Sequence, residues 1–214
     1  MLGGEVLRMW GQIRTHNRHG SRRVVRSVAA ISVWDYEPVP EATVEHFGVE
    51  SRRVTLPLAS LPTRTTAEQD VETYRKKLAE LEKNDAPLGA VYVARRFVHW
   101  AENVLQTIEA GEDPPRREIS FTAFRVNDTA IASVSGEPFA ELGLEVKRRS
   151  PFAHTIFLGY TNGCIGYLPT PEAFDEGGME VHESYQNYLL PCPFTKEWGP
   201  AVIRNALELL NSLR

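Results

Sequence analysis

Residues 121–181 read FTAFRVNDTAIASVSGEPFAELGLEVKRRSPFAHTIFLGYTNGCIGYLPTPEAFDEGGMEV, and this stretch decides the fold. Two strand-like runs flank Asn127-Asp128, so a tight hairpin is expected there. The second run, Ala130 to Ser135, leads into Gly136-Glu137-Pro138. Pro138 suits the first position of a helix, where a missing N–H costs nothing. Phe139, Leu142 and Val146 then recur at helical spacing. Lys147-Arg148-Arg149 falls at the helix end, where positive charge is favourable, and Ser150-Pro151 stops the helix. Glu137 is thereby placed at the C-terminal end of a strand and the N-terminal end of a helix, a favourable position for an ionised carboxylate. His154 starts a further strand leading to Tyr160. Asn162-Gly163 favours a type I′ turn, which would pair Thr161 with Cys164, Tyr160 with Ile165 and Leu158 with Tyr167.

Working towards the N-terminus, residues 65–84 are a strong helix pattern. Val71, Tyr74, Leu78 and Leu81 form a stripe, and Thr65-x-x-Glu68 and Thr66-x-x-Gln69 are capping-box patterns. A second helix is expected over residues 88–110, with Val91, Ala94, Val98, Ala101, Leu105 and Ile108 on one face and Gly111 at its end. The short connection between them implies an antiparallel helical hairpin. His99 within it has Arg95 and Asn103 at four residues' distance, so it reads as packed or solvated rather than as a ligand. Residues 49–58 read as a strand whose Pro57 marks an edge or an end. Residues 24–34 read as a strand with few polar residues, and Tyr36 to Pro40 as a turn. Residues 2–16 carry a helical stripe of Val6, Leu7, Trp10 and Ile13. His16 and His19 lie in HNRHGSRR, expected as a polar turn. Arg18, Arg22 and Arg23 there would oppose a divalent cation.

Towards the C-terminus, residues 182–193 look irregular. A closing helix is expected over 196–214, with Trp198, Val202, Ala206, Leu209 and Leu213 inward. The class is therefore mixed α/β (α+β): a largely antiparallel sheet with packed helices and a protruding helical hairpin inserted over 65–111. A chain of 214 residues, 42% hydrophobic, can bury one core and is expected to form a single domain over 1–214.

The net charge of −4 gives no basic bias towards nucleic acid. No apolar run reaches membrane-spanning length. Met1 is followed by Leu-Gly-Gly-Glu, without the basic and apolar regions of a signal peptide. Cys164 and Cys192 form no CxxC pair and read as buried free thiols. GxSxG, P-loop and HExxH motifs are absent from the sequence.

Three segments carry a resemblance. VSGEPFAELG (134–143), SPFAHTIFLGYTNGCIGYLPTPEAF (150–174) and GGMEV (177–181) resemble the neutral/alkaline non-lysosomal ceramidase family, especially its shorter bacterial members. The resemblance spans residues 118–213. It implies a zinc amidohydrolase that cleaves the N-acyl bond of a ceramide-like lipid. The family's metal is held by two histidines, a glutamate and a tyrosine, and the last two correspond to Glu137 and Tyr167. The histidines belong to segments that precede anything present here. The resemblance thus implies the C-terminal half of a catalytic domain. Zinc would be held only with ligands from a missing N-terminal half or another subunit. Such a half would expose apolar surface on one sheet face, around Val6 and Trp10, and near Tyr167.

Zinc in such an enzyme lowers the pKa of its bound water to about 7 and polarises the amide carbonyl. A carboxylate and a phenol could complete a site begun by two histidines and could not make one unaided. His154 and His182 are further candidates for approaching Glu137 or Tyr167. The resemblance also places an oxyanion-stabilising tyrosine where Met179 stands, so turnover is expected to be slow unless Tyr185 or Tyr188 reaches in. Read without the resemblance, Glu137 is a helix-capping carboxylate, Tyr167 a packed aromatic and Met179 an apolar filler. The corresponding function is a non-catalytic remnant or an interaction module.

Overall fold

The computed structural model describes residues 17–26, 30–38, 43–111 and 113–214. Contacts divide the chain into two compact units, residues 1–44 and 45–214. In the first, β1 (Asn17–Arg26) and β2 (Ala30–Pro38) pair antiparallel, with a register shift between His19 and Arg22. Three expectations are corrected here. The polar run after His16 is strand rather than turn. Residues 24–26 and 30–34 belong to two strands rather than one. Tyr36 to Pro38 finish β2 rather than opening a turn. Ladder pairing with a partner strand overrides local composition, as it commonly does in sheets. The helix expected over residues 2–16 lies outside the described residues, with its Val6, Leu7, Trp10 and Ile13.

The second unit opens with β3 (Phe47–Pro57), an edge strand that stops at Pro57 as expected. The helical hairpin follows as α1 (Arg64–Lys83) and α2 (Leu88–Ala110). The cap of α1 is Thr63, whose side chain accepts from Thr66 N–H, and not Thr65 or Thr66. Gly111 ends α2 in the left-handed conformation at φ 75°. Ala67, Val71, Trp100, Ala101 and Val104 form the hairpin's own core. Charges line its outside in pairs, among them Arg75–Glu102 and Arg95–Glu82.

β4 (Arg116–Val126) and β5 (Thr129–Val134) form the expected hairpin, with Val126 opposite Thr129. Asn127 adopts φ 54°, and its Oδ1 accepts from the N–H groups of Glu45 and His46. The chain then makes a two-residue strand, β6 (Glu137–Pro138), before α3 (Ala140–Arg149). Pro138 is therefore a strand residue rather than the first helical one. α3 crosses to β7 (His154–Leu158), which runs parallel to β5. The sheet order is β3-β4-β5-β7, antiparallel except for the last pair.

The hairpin expected at Asn162-Gly163 does not form. After β7 the backbone turns across β5 and β6. Tyr160 N–H donates to Gly136 O at 2.8 Å, Thr161 N–H to Val134 O at 3.2 Å and Ile165 N–H to Ser135 O at 3.1 Å. Donors that would have built a β7 ladder are thus committed elsewhere. β8 (Tyr167–Leu168) pairs instead with β6, in parallel. Three single-turn helices follow, α4 (Ala173–Glu176), α5 (Met179–His182) and α6 (Ser184–Asn187), where an irregular segment was expected. The closing helix is α7 (Trp198–Ser212).

The main core lies between the sheet and α3 with α7. Ile119, Phe121 and Ala123 of β4 and Ala130, Ala132 and Val134 of β5 meet Leu142 and Val146, and Trp198, Val202 and Leu210. Trp198 is fully buried, and its indole N–H donates to Pro57 O at 2.7 Å, so α7 is pinned to the end of β3. The structure is thus an α+β fold: a mixed, mostly antiparallel sheet with seven helices among the described residues. Among the described residues no helix packs on its outer sheet face. Phe47, Val49, Phe124, Val126, Ile156 and Leu158 are exposed there.

Candidate functional site

β6 and β8 bring Glu137 and Tyr167 into register as direct neighbours on a parallel ladder. Glu137 N–H donates to Gly166 O at 2.9 Å, and Phe139 N–H to Leu168 O at 3.1 Å. Gly166 sits at φ 126°, and a side chain there would also crowd Phe194 and Tyr188 at 3.1–3.2 Å. That glycine lets β8 lie flat against β6.

Two tyrosines not adjacent in sequence close on the carboxylate. Tyr160 O–H donates to Glu137 Oε2, and Tyr188 O–H to Oε1. Cys164 Sγ stands 3.6 Å from Oε1. Tyr160 reaches this place from a backbone at φ 57°, and Asn162 follows at φ 61°. A bulky residue in the left-handed region is held there only by its surroundings. The three loop hydrogen bonds to Val134, Ser135 and Gly136 supply that hold. The Tyr167 ring packs edge-on against Phe139 and Tyr188 at centroid distances of 6.5 and 6.3 Å. Tyr188 itself is positioned by the hairpin. Trp100 N–H donates to Leu190 O at 2.7 Å, and its ring meets Tyr185 at 5.9 Å.

The charges follow from this geometry. Partial burial of Glu137 would raise its carboxyl pKa, but hydrogen bonds from Tyr160, Tyr188, Cys164 and Tyr167 together outweigh it and leave the value below the ordinary one. The Tyr160 phenol, donating to that carboxylate, is pushed up to about 12. Tyr188 is raised first by burial and then by its bond to Glu137. Tyr167 is raised first by the negative charge of Glu137. The site is an anion ringed by neutral hydroxyls.

The other candidates fall elsewhere. His154 opens β7 opposite Thr129, at the far end of β5 from Glu137. His182 ends α5 beside Gly177, 3.8 Å from where a β-carbon would sit. His99 lies on α2 with Asn103 at 3.5 Å. Met179 is 47% exposed and fills no apolar gap. Of the two tyrosines that could reach in, Tyr188 does so, whereas Tyr185 packs on Trp100. Cys192 is buried as expected, but Cys164 is exposed and belongs to the site. The sequence reading missed Tyr160 and Cys164. The local signal near both was Asn162-Gly163, which reports a backbone turn and not what the turn faces.

Among the described residues no group of three or more His, Cys, Asp or Glu side chains is placed to hold a metal ion. Both Glu137 oxygens are engaged by phenols, and those phenols keep their protons at neutral pH. A carboxylate and a phenol side by side fit part of a zinc site. The described residues by themselves do not make a whole one. Comparison with family models, with curated proteins and with solved structures returns no match for this chain.

Proposed function

We propose that this chain supplies Glu137 and Tyr167 to a ceramidase-like amidohydrolase site that cleaves N-acyl amide bonds of lipid-like substrates. The observation that supports this reading is their direct pairing on β6 and β8, thirty positions apart in sequence. The resemblance assigns the same two residues to one centre. In this reading two histidines come from a missing N-terminal segment or a separate chain, and tight zinc binding requires them. The contribution of this chain is an ionised carboxylate with its neighbouring phenols. Tyr160 and Tyr188 hold the O–H groups beside Glu137, and either would have to release the carboxylate before donating to a substrate carbonyl; Tyr188 is the candidate for the donor absent at Met179.

A second reading is a non-catalytic interaction module. It is favoured by the saturation of both Glu137 oxygens, which gives the carboxylate a structural role as a hydrogen-bond hub.

The test is a zinc titration by calorimetry of the full chain, with Glu137→Gln and Tyr167→Phe beside it. The amidohydrolase reading expects weak zinc binding that falls in both variants, because two ligands leave most of the coordination to water. Zinc binding indifferent to both substitutions would overturn it and leave the module.

A further inference from the structure

We propose that the outer face of the four-stranded sheet is a self-association surface, on which a second copy of this chain packs sheet to sheet about a two-fold axis running across the strands. A second copy on this face competes with the missing half-domain that the amidohydrolase reading would lay on one sheet face, and the cross-link below separates the two.

Register places the outward residues in rows. Phe47, Val126, Thr129 and His154 form one, and Val49, Phe124, Ile131 and Ile156 the next. Leu158 continues the apolar surface beside Ser133. Six of these apolar side chains are between 39 and 70% exposed. An antiparallel sheet facing water normally alternates apolar-in with polar-out, and this one turns apolar side chains to both faces. The exposed apolar area is on the order of 500 Å², near the top of what a monomer ordinarily shows. With Ser51, Thr122, Thr129 and His154 at its border, the face approaches the roughly 800 Å² per partner of a standard interface.

Three features fit a second copy. The face is nearly free of charge: Arg53 and Glu118 stand at one end and pair with each other at 3.5 Å, and His154 lies towards the other. Two such faces can therefore meet without like-charge repulsion at their centre. The two rows are also complementary in size. A two-fold axis between them lays Phe47 over Val49 of the second copy and Phe124 over its Val126, so each aromatic ring meets a smaller side chain. Finally, the loop that places Asn162 beside Ser51, Ser120 and Thr122 sits at one end of the face. The same axis carries the two loops to opposite ends, where they frame the interface and do not collide. The resulting layers pack as in an aligned sandwich.

The experiment is light scattering and sedimentation of the full chain from low to high micromolar concentration. A concentration-dependent dimer is expected. Ile156→Glu and Phe124→Glu, both at exposed positions, are expected to remain folded by circular dichroism and to lose the dimer. A benzophenone amino acid at position 49 is expected to cross-link to the peptide that contains Phe47 of another copy, read from mixed isotope-labelled chains. A monomer at all concentrations, a dimer that survives both substitutions, or a cross-link from position 49 only to its own chain or to a different polypeptide would each overturn the proposal.

Discussion

Glu137 and Tyr160 are joined through a hydrogen bond from a phenol whose backbone lies in the left-handed region, so the carboxylate and the strained loop depend on each other. The charge on Glu137 rewards the loop for its conformation, and the loop supplies a donor that keeps Glu137 ionised.

The first prediction concerns that coupling. In wild type, Tyr160 is expected to ionise near pH 12. Glu137→Gln removes the carboxylate acceptor and its charge, so the value should fall towards the ordinary 10. Tyrosinate absorbance followed through an alkaline titration, with Tyr160→Phe to identify the transition, reads the shift directly.

The second concerns acid. The carboxyl pKa of Glu137 is lowered in the folded state, so its contribution to stability is present above the ordinary value of 4.5 and is lost as pH falls through the lowered one. Glu137→Gln should therefore destabilise the protein at neutral pH and approach wild type on acidification. Denaturant unfolding of both proteins at matched pH checks it; a difference that stays constant with pH would sink the assignment.

A third test removes one donor. Tyr188→Phe leaves Glu137 Oε1 without its phenol. The expected cost is about 1 kcal/mol, the low end for a charged acceptor because the site is open to solvent. The Glu137 carboxyl pKa should rise, which carbon-detected NMR of labelled glutamate measures.

The fourth reaches the site from a distance. Trp100→Phe leaves the buried Leu190 carbonyl without its partner, at a cost of about 1–3 kcal/mol. Because Leu190 follows Tyr188 by two residues, the Glu137 pKa should move upward as well. Stability loss with no change at Glu137 would show that hairpin and site are uncoupled.

The fifth concerns close packing. A β-carbon at Gly159 would stand 2.7 Å from Pro138 Cδ and 3.0 Å from Gly136 O. Gly159→Ala is expected to cost about 1–3 kcal/mol and to pull Tyr160 off Glu137. A lowered Tyr160 pKa in the variant would report the displacement.

Much of the fold could be read from local chemistry. Pro87 and Gly111 punctuate α2 at both ends, Asn127 marks the β4–β5 turn, and Trp198 with Val202 and Ala206 traces the inner face of α7. These signals act over a few residues, which is why they survive in the sequence. Asn162-Gly163 looked equally clear and misled, because its left-handed preference is satisfied just as well in a crossing loop as in a hairpin. Which strand Tyr167 pairs with depends on β6, and two-residue strands carry no periodicity. The resemblance named Glu137 and Tyr167 together, but their pairing on one ladder carried no local signal, and the sequence reading paired Tyr167 with Leu158 instead. Tyr160 and Cys164 were not legible at all, since nothing local says which side chain a turn will face.

The order of assembly follows from how far apart the site's parts lie along the chain. The β4–β5 hairpin closes over two residues and can form within microseconds. The contacts on Glu137 span 23 residues to Tyr160 and 51 to Tyr188, and each must wait for the crossover through α3 and for the hairpin base to dock. The carboxylate cluster is therefore expected to be among the last parts to lock during folding and the first to open afterwards. Amide exchange at Glu137 and Phe139 would then outpace exchange in β4 and α7 while the rest of the chain stays native.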